Sequence, residues 1–120
     1  MLDKRQFYIN GQWVDPIAPN DLEVINPSNE EVCAIISLGS SADTDLAIES
    51  ASKALPSWSK TSKEERLKLI EKLYEIYKAR WNDMTESISL EMGAPYDWAN
   101  EEQSKSGANH IKNFIKTLKK

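Results

Sequence analysis

The sequence predicts an α+β fold, with short β-hairpin strands in residues 1–38 and three α-helices at 40–60, 62–92 and 95–119. Two observations predict it. In the first third, turn-forming residues separate short runs with the two-residue period of strands. From Gly39 onward, apolar residues recur every three or four positions, which is the spacing of a helix. At 120 residues without a flexible linker, the chain has the length of one domain.

Two antiparallel pairs are predicted in the strand region. Asn10-Gly11 separates Phe7-Tyr8-Ile9 from Gln12-Trp13-Val14, and this dipeptide suits the positive φ angles of a two-residue hairpin turn. A second pair is expected between residues 22–25 and 32–38, because the turn-forming run Asn26-Pro27-Ser28-Asn29 lies between them.

The first helix is predicted from a capping pattern, Ser40 followed by Asp43, and from apolar residues at helical spacing. Its expected buried face consists of Ala47, Ala51, Ala54, Leu55 and Trp58. Pro56 lies inside this helix, so its hydrogen bonding is expected to break or kink near Leu55.

The second helix carries the strongest pattern. Ser62 and Glu65 form a capping box, and an apolar stripe with spacings of three and four continues up to Gly93. A single helix of this length would measure on the order of 40 Å. The stripe consists of Leu67, Ile70, Leu73, Tyr74, Tyr77, Trp81, Met84 and Ile88.

The third helix follows Pro95, which suits a first helical position. Its first half is polar and only weakly periodic, whereas its second half has a clear apolar stripe of Ala108, Ile111, Ile115 and Leu118. Gly107 within it lowers helix propensity and marks either a close approach or a weak point.

Composition argues against several classes of partner. The net charge is −4 and no strongly basic face is present, so nucleic acid is not expected as a partner. No apolar run approaches the roughly 18 residues of a membrane span, and no signal peptide is recognisable at the N-terminus. The chain is therefore expected to be cytoplasmic and not to bind a membrane.

The inventory of chemically active residues is small. Cys33 is the only cysteine and is expected to be a structural thiol in a strand, while His110 is the only histidine and has no nucleophile motif to serve. The glycines are scattered, so no phosphate-binding loop is predicted, and one His with one Cys cannot supply an ordinary zinc site. We therefore predict no catalytic residue and no cofactor-binding residue in this chain.

The order of the motifs nonetheless resembles the aldehyde dehydrogenase superfamily over residues 8–118. The segments 8–14 and 24–32 resemble its opening strands, and residues 43–58 and 62–73 resemble its first two helices. Leu90-Glu91-Met92-Gly93-Ala94-Pro95 is similar to its E-x-G-K-P signature, with Ala94 in place of Lys.

The resemblance implies a partial domain, the N-terminal part of the α/β cofactor-binding domain of the aldehyde dehydrogenase fold. The complete enzyme would oxidise an aldehyde to a carboxylic acid with NAD or NADP, whereas this chain alone would bind no cofactor and be inactive. The resemblance also implies a monovalent-cation site that uses the Val24 backbone and the Glu91 side chain. It further implies a polar substrate entrance at Glu102, Gln103 and Ser106.

Two partners are expected. One is the remainder of an aldehyde dehydrogenase chain, and the other is a second copy of this chain, because two shorter helices cannot cover the whole stripe of the second helix. An alternative hypothesis is a stand-alone helical assembly or scaffolding module without catalysis. Coding sequence beyond Lys120 would separate these two hypotheses.

Overall fold

In the computed structural model, which describes residues 1–120, the predicted first hairpin is present. Its strands β2 (Phe7–Ile9) and β3 (Gln12–Val14) pair antiparallel. Asn10 and Gly11 both have positive φ, 53° and 77°. These angles are those of the two-residue turn whose twist matches a right-twisted hairpin.

The second antiparallel pair is also present, as β4 (Asp21–Asn26) and β5 (Glu31–Ser37). Strand β5 is central in a three-stranded sheet, because β1 (Leu2–Lys4) lies parallel to its other edge. The sequence did not predict β1, since a three-residue segment is too short to show a two-residue period. Ala34 in β5 is buried, with 6% of its surface exposed.

Helix α1 (Ser41–Trp58) begins at the predicted capping box. The Asp43 carboxylate accepts hydrogen bonds from the Ser40 backbone N–H at 2.8 Å and from the Ser40 hydroxyl at 2.6 Å. It also accepts from the backbone N–H of Ile17 at 2.9 Å. Because Ile17 lies in the loop between the hairpins, one buried carboxylate connects that loop to the start of the helix.

Pro56 does not end α1 near Leu55, whereas the expected kink stays a prediction. The helix continues to Trp58, and Ser59 N–H still donates to the Leu55 carbonyl at 2.8 Å. Pro56 lies in the last turn, and its ring nitrogen has no hydrogen to donate within the helix. The face of α1 expected to be buried is instead exposed, with 60% of Leu55 and 47% of Trp58 accessible.

The long helix predicted for residues 62–92 is two helices, α2 (Lys63–Ala79) and α3 (Trp81–Met92). Arg80 separates them with a φ of −105° and a ψ of 25°, outside the helical range. Its side chain is held by Asp83 in the first turn of α3, at 2.8 Å. No proline or glycine marks this break, so the apolar period continues across it and the sequence did not predict it.

The third helical region runs without interruption from α4 (Tyr96–Trp98) through a π-helical turn (Ala99–Gln103) into α5 (Ser104–Lys119). Helix α5 packs against α2. Near the end of α5, Lys119 forms an ion pair with Glu71 of α2 at 2.7 Å.

The chain forms two compact units, residues 1–60 and 61–120, and the expectation of a single partial domain stays a prediction. The first contains the five strands and α1, and the second contains the remaining helices. None of the helices has the length and apolar character needed to cross a membrane.

Asp43 makes the stability of the first unit dependent on pH. The Ile17 N–H, the Ser40 hydroxyl and the Ser40 N–H hold the pKa of Asp43 below its ordinary value. A carboxylate with a lowered folded-state pKa stabilises the fold above its unfolded pKa of about 3.9, and this contribution is lost as the pH falls through the folded value. Asp43→Asn should therefore lower the melting temperature at pH 7, and the deficit should shrink below about pH 4.

The measurement is thermal unfolding by circular dichroism from pH 7 to pH 2.5 for the wild type and the variant. Asp45→Asn, an exposed position two residues further along α1, is the matched control and should follow the wild type. Parallel curves for wild type and Asp43→Asn at all pH values would contradict the prediction.

Candidate functional site

The most unusual feature of the second unit is its π-helical turn. The Ser104 N–H donates to the Ala99 carbonyl, five residues back instead of four. Ala99 and Ser104 are both fully buried, at 0% exposure. In a regular α-helix, residues five apart point about 140° away from each other, so the wider turn is what lets both face inward. Single π turns occur frequently at functional sites, and we therefore consider this turn the candidate site.

A polar network surrounds the turn on its inner side. The Asn100 Oδ1 atom accepts from the Trp81 indole Nε1–H at 2.7 Å and lies 3.4 Å from the Thr85 hydroxyl oxygen. Thr85 is fully buried, and its Oγ1 lies 3.0 Å from Ser104 Oγ. Because the Thr85 hydroxyl donates to the Trp81 carbonyl at 3.1 Å, Ser104 is the donor to Thr85. Each buried hydroxyl is thus satisfied, as buried polar groups require.

Tyr77 extends this network toward α5. Its hydroxyl donates to the Ser104 carbonyl at 2.9 Å, and burial raises the pKa of Tyr77 above its ordinary value. Its ring meets the Trp81 ring edge to face, with centroids 6.1 Å apart. A Cβ atom at Gly107 would overlap the Tyr77 hydroxyl and come within 3.0 Å of its Cζ. Of the two interpretations of Gly107, the structure confirms the close approach.

The predicted entrance residues all lie on or beside the π turn, but they differ in exposure. Glu102 and Ser106 are exposed, whereas Gln103 is half-buried. The Gln103 Nε2 atom donates to the Met92 sulfur at 3.9 Å, and its Oε1 atom is buried without a hydrogen-bond partner. Glu102 and Ser106 are therefore available to a ligand, while the Gln103 side chain is directed toward the end of α3.

The two residues of the predicted cation site belong to different units. Val24 lies in β4 beside a register shift of the strand pair, and its carbonyl accepts a hydrogen bond from the Cys33 thiol at 3.3 Å. Glu91 is exposed near the end of α3. No group of three or more His, Cys, Asp or Glu side chains that could hold a metal ion is present. The cation site stays a prediction.

Cys33 and His110 belong to different units, and neither has a contact that would activate it for catalysis. Cys33 is half-buried in the central strand, and its thiol donates a hydrogen bond to the Val24 carbonyl. A nucleophilic cysteine needs the opposite arrangement, in which neighbours stabilise the thiolate. His110 is exposed on α5 in the other unit. The π-turn network itself consists of neutral hydroxyl, amide and indole groups, which fix geometry and do not activate a nucleophile.

The sequence did not predict the residues that hold the π turn, Asn100 and Thr85. Trp81 was assigned only to the apolar stripe. The sequence signal for the π turn was the step of five residues between the small residues Ala99 and Ser104. This step interrupts the helical spacing of three and four residues. It also explains the weak periodicity in the first half of the third predicted helix.

Comparison with known proteins agrees with the resemblance found in the sequence. The model of the aldehyde dehydrogenase family matches residues 13–120. A 3-succinoylsemialdehyde-pyridine dehydrogenase from Pseudomonas sp is 43% identical over 95 residues, which are 79% of this chain and 20% of that protein.

Solved structures are similar over nearly the whole chain. A crystal structure of aldehyde dehydrogenase from Bartonella henselae has a TM-score of 0.98 and 56% identity, covering 99% of this chain and 25% of that one. A mutant of aldehyde dehydrogenase C from Pseudomonas syringae, in complex with NAD+ and octanal, has a TM-score of 0.94 and 37% identity, covering 97% and 24%. The chain thus spans a quarter or less of the length of these relatives.

The contact between Gly107 and Tyr77 leads to a test of packing in the second unit. Gly107→Ala should improve helix propensity by about 1 kcal/mol, but the added methyl would displace the Tyr77 hydroxyl from Ser104. Overpacking of this kind costs about 1–3 kcal/mol, so we expect a net loss of stability in urea unfolding.

Tyr77→Phe in the same chain removes the overlapping oxygen, so the double variant should recover part of the loss caused by Gly107→Ala. Ala substitution at exposed Asn109, two residues further along α5, is the control for propensity alone and should be neutral or stabilising. A Gly107→Ala chain more stable than the wild type would show that the Tyr77 ring moves without cost.

Proposed function

The chain belongs to the aldehyde dehydrogenase family, and we propose that it forms the N-terminal segment of an enzyme that oxidises an aldehyde to a carboxylic acid with NAD or NADP. The observation that carries this proposal is the structural match to the Bartonella henselae enzyme, which includes both units of the chain. Two names support the reaction class. The Pseudomonas relative is named for a semialdehyde, and the Pseudomonas syringae structure contains octanal, an aldehyde.

Within such an enzyme this segment would have a structural role and would not bind the dinucleotide. Its one turn from a strand through a glycine to a helix is Gly39-Ser40, between β5 and α1. A pyrophosphate needs free backbone N–H groups at such a helix start, but here the Asp43 carboxylate accepts from Ser40 at that position. A second anion at the same place would be repelled, so these residues do not fit NAD or NADP.

The direct contribution of the segment to the reaction would be at the substrate entrance. Glu102 and Ser106 are exposed and four residues apart, so they lie on neighbouring turns of one helical face. Gln103 lies beside them, with its side chain anchored on Met92. In the complete enzyme, Glu102 and Ser106 would present a carboxylate and a hydroxyl to the aldehyde on its way in, while Gln103 would support the turn that carries Glu102.

A chimera tests the proposal. Residues 1–120 of this chain would replace the matching quarter of the Bartonella henselae enzyme, and the product would be assayed for aldehyde-dependent reduction of NAD and of NADP. We expect the chimera to be active, because the segment supplies the same fold. It should also bind the dinucleotide in calorimetry, whereas the 120-residue chain should give no saturable isotherm at micromolar concentration.

Cys33→Ser in the chimera is the matched control. It removes the thiol, while the serine hydroxyl can still donate a hydrogen bond to the Val24 carbonyl. Activity should survive it. Loss of all activity with Cys33→Ser in a correctly folded chimera would make Cys33 the nucleophile and overturn our assignment. An inactive but folded unsubstituted chimera would count against the proposed function itself.

We further propose that the chain on its own associates with a second copy. Large apolar side chains remain accessible in both units, including Leu55 at 60%, Leu73 at 52% and Phe114 at 67%. In a complete enzyme the rest of the chain would cover such surface. In the isolated chain, these apolar side chains can be buried when the same surfaces of two copies associate. Full burial of each large apolar side chain contributes about 1.5–3 kcal/mol of stabilisation.

Sedimentation equilibrium with circular dichroism over a concentration series tests this association. The apparent mass should rise above that of the monomer with concentration, and helix content should fall on dilution. Replacing Phe114 by Lys should weaken the association, whereas Lys112→Arg, at an exposed position nearby, should leave it unchanged. A monomer that stays fully helical at sub-micromolar concentration would contradict the proposal.

A further inference from the structure

The π turn requires a partner outside its own backbone. A π turn contains one residue more than an α-turn and is rare in proteins, so side-chain contacts have to favour it over the α-helical alternative. Converting this turn to α-helix would shift everything on its N-terminal side by one residue relative to α5. The shift amounts to about 100° of rotation and about 1.5 Å of translation.

Asn100 is placed to prevent that shift. It is the second residue of the turn, and its Oδ1 atom accepts from the Trp81 indole of α3 and lies 3.4 Å from the Thr85 hydroxyl of the same helix. The 2.7 Å bond from the indole is short for an N–H···O bond. Rotation of Asn100 by about 100° would break the bond from the indole and leave the half-buried Trp81 N–H without this acceptor, which is unfavourable.

The position of Glu102 depends on the same contact. Glu102 lies two residues after Asn100 in the turn, whereas Ser106 lies in α5 beyond it. A change of the turn to α-helix would therefore rotate Glu102 relative to Ser106. The hydrogen bond from the Trp81 indole to Asn100 is one of the contacts that keep the two exposed side chains in their present relation.

We propose that Asn100 is a positioning residue for aldehyde binding: by accepting from the Trp81 indole it holds the π turn and sets the direction in which Glu102 faces the substrate entrance. The proposal rests on the proposed function, because it assumes that this helix borders the entrance of a complete aldehyde dehydrogenase. Asn100 does not itself contact the aldehyde and acts through the turn.

The kinetic test uses the chimera described above with three substitutions. Asn100→Leu removes the acceptor, Asn100→Asp keeps an oxygen in the same place, and Asn113→Leu changes an exposed asparagine of α5 as the matched control. We expect Asn100→Leu to raise KM for aldehydes on the order of tenfold, since a small misplacement of a binding group has effects of this size, with kcat changed much less. Asn100→Asp and Asn113→Leu should both remain close to the unsubstituted chimera.

A second readout is independent of activity. The 120-residue chain has four tryptophans, so its indole N–H groups should give four signals in a proton–nitrogen correlation spectrum, and Trp81→Phe identifies the one from Trp81. That signal should move upfield in Asn100→Leu, because a short hydrogen bond is lost, and stay in Asn100→Asp and Asn113→Leu.

The outcomes separate this inference from the proposed function. An inactive unsubstituted chimera counts against the proposed function. If the unsubstituted chimera is active, the KM of the Asn100 variants tests the inference on its own. If Asn100→Leu moves the indole signal but leaves KM for every aldehyde unchanged, the contact is structural only and the inference is overturned. If Asn100→Leu does not fold, Trp81→Phe breaks the same bond from the donor side, and an unchanged KM in that chimera overturns the inference equally.

Discussion

The helical unit depends on one requirement, that Ala99 and Ser104 are both buried although they lie five residues apart. An α-helix cannot meet it, because residues at that separation face in different directions. The π turn meets it, and its position follows from the polar groups that surround it. Thr85 is fully buried, and its hydroxyl oxygen accepts from Ser104, which faces it because the turn is wide. The close approach of Gly107 to Tyr77 then follows, since the Tyr77 hydroxyl reaches the Ser104 carbonyl past that glycine.

The strand unit depends on a different polar group. Asp43 combines the role of a helix cap with that of an acceptor for a distant loop. A helix that follows a strand and a glycine is a natural anion site when its N–H groups are free. Here the chain's own carboxylate accepts at that helix start, which supports our proposal that a cofactor phosphate is bound by another part of a complete enzyme.

The sequence predicted the elements whose signals are local. Asn10-Gly11 identified the first hairpin, and Ser40 with Asp43 and Ser62 with Glu65 located two helix starts. It failed where the signal was missing or depended on tertiary contacts. The apolar period passes through Arg80 without a change, so the break between α2 and α3 was not visible. The exposed face of α1 has the same apolar spacing as a buried face. Periodicity shows that one face of a helix is apolar, but it does not show whether another element covers that face. The predicted entrance residues came only from the family resemblance, and the burial of the Gln103 Oε1 atom could not be read from its position in the chain.

Gln103 illustrates how little of a binding surface is determined by residue type. It follows two exposed residues of the turn, Glu101 and Glu102, yet its amide is anchored on Met92 and its oxygen is buried. A glutamine in a regular helix at the same position would have a different direction, since each residue gained or lost in the turn rotates it by about 100°. The polar residues that this helix presents therefore depend on the hydrogen bonds beneath the turn as well as on the side chains within it. Two chains with identical residues at 102 and 106 but different partners for position 100 would present different polar surfaces.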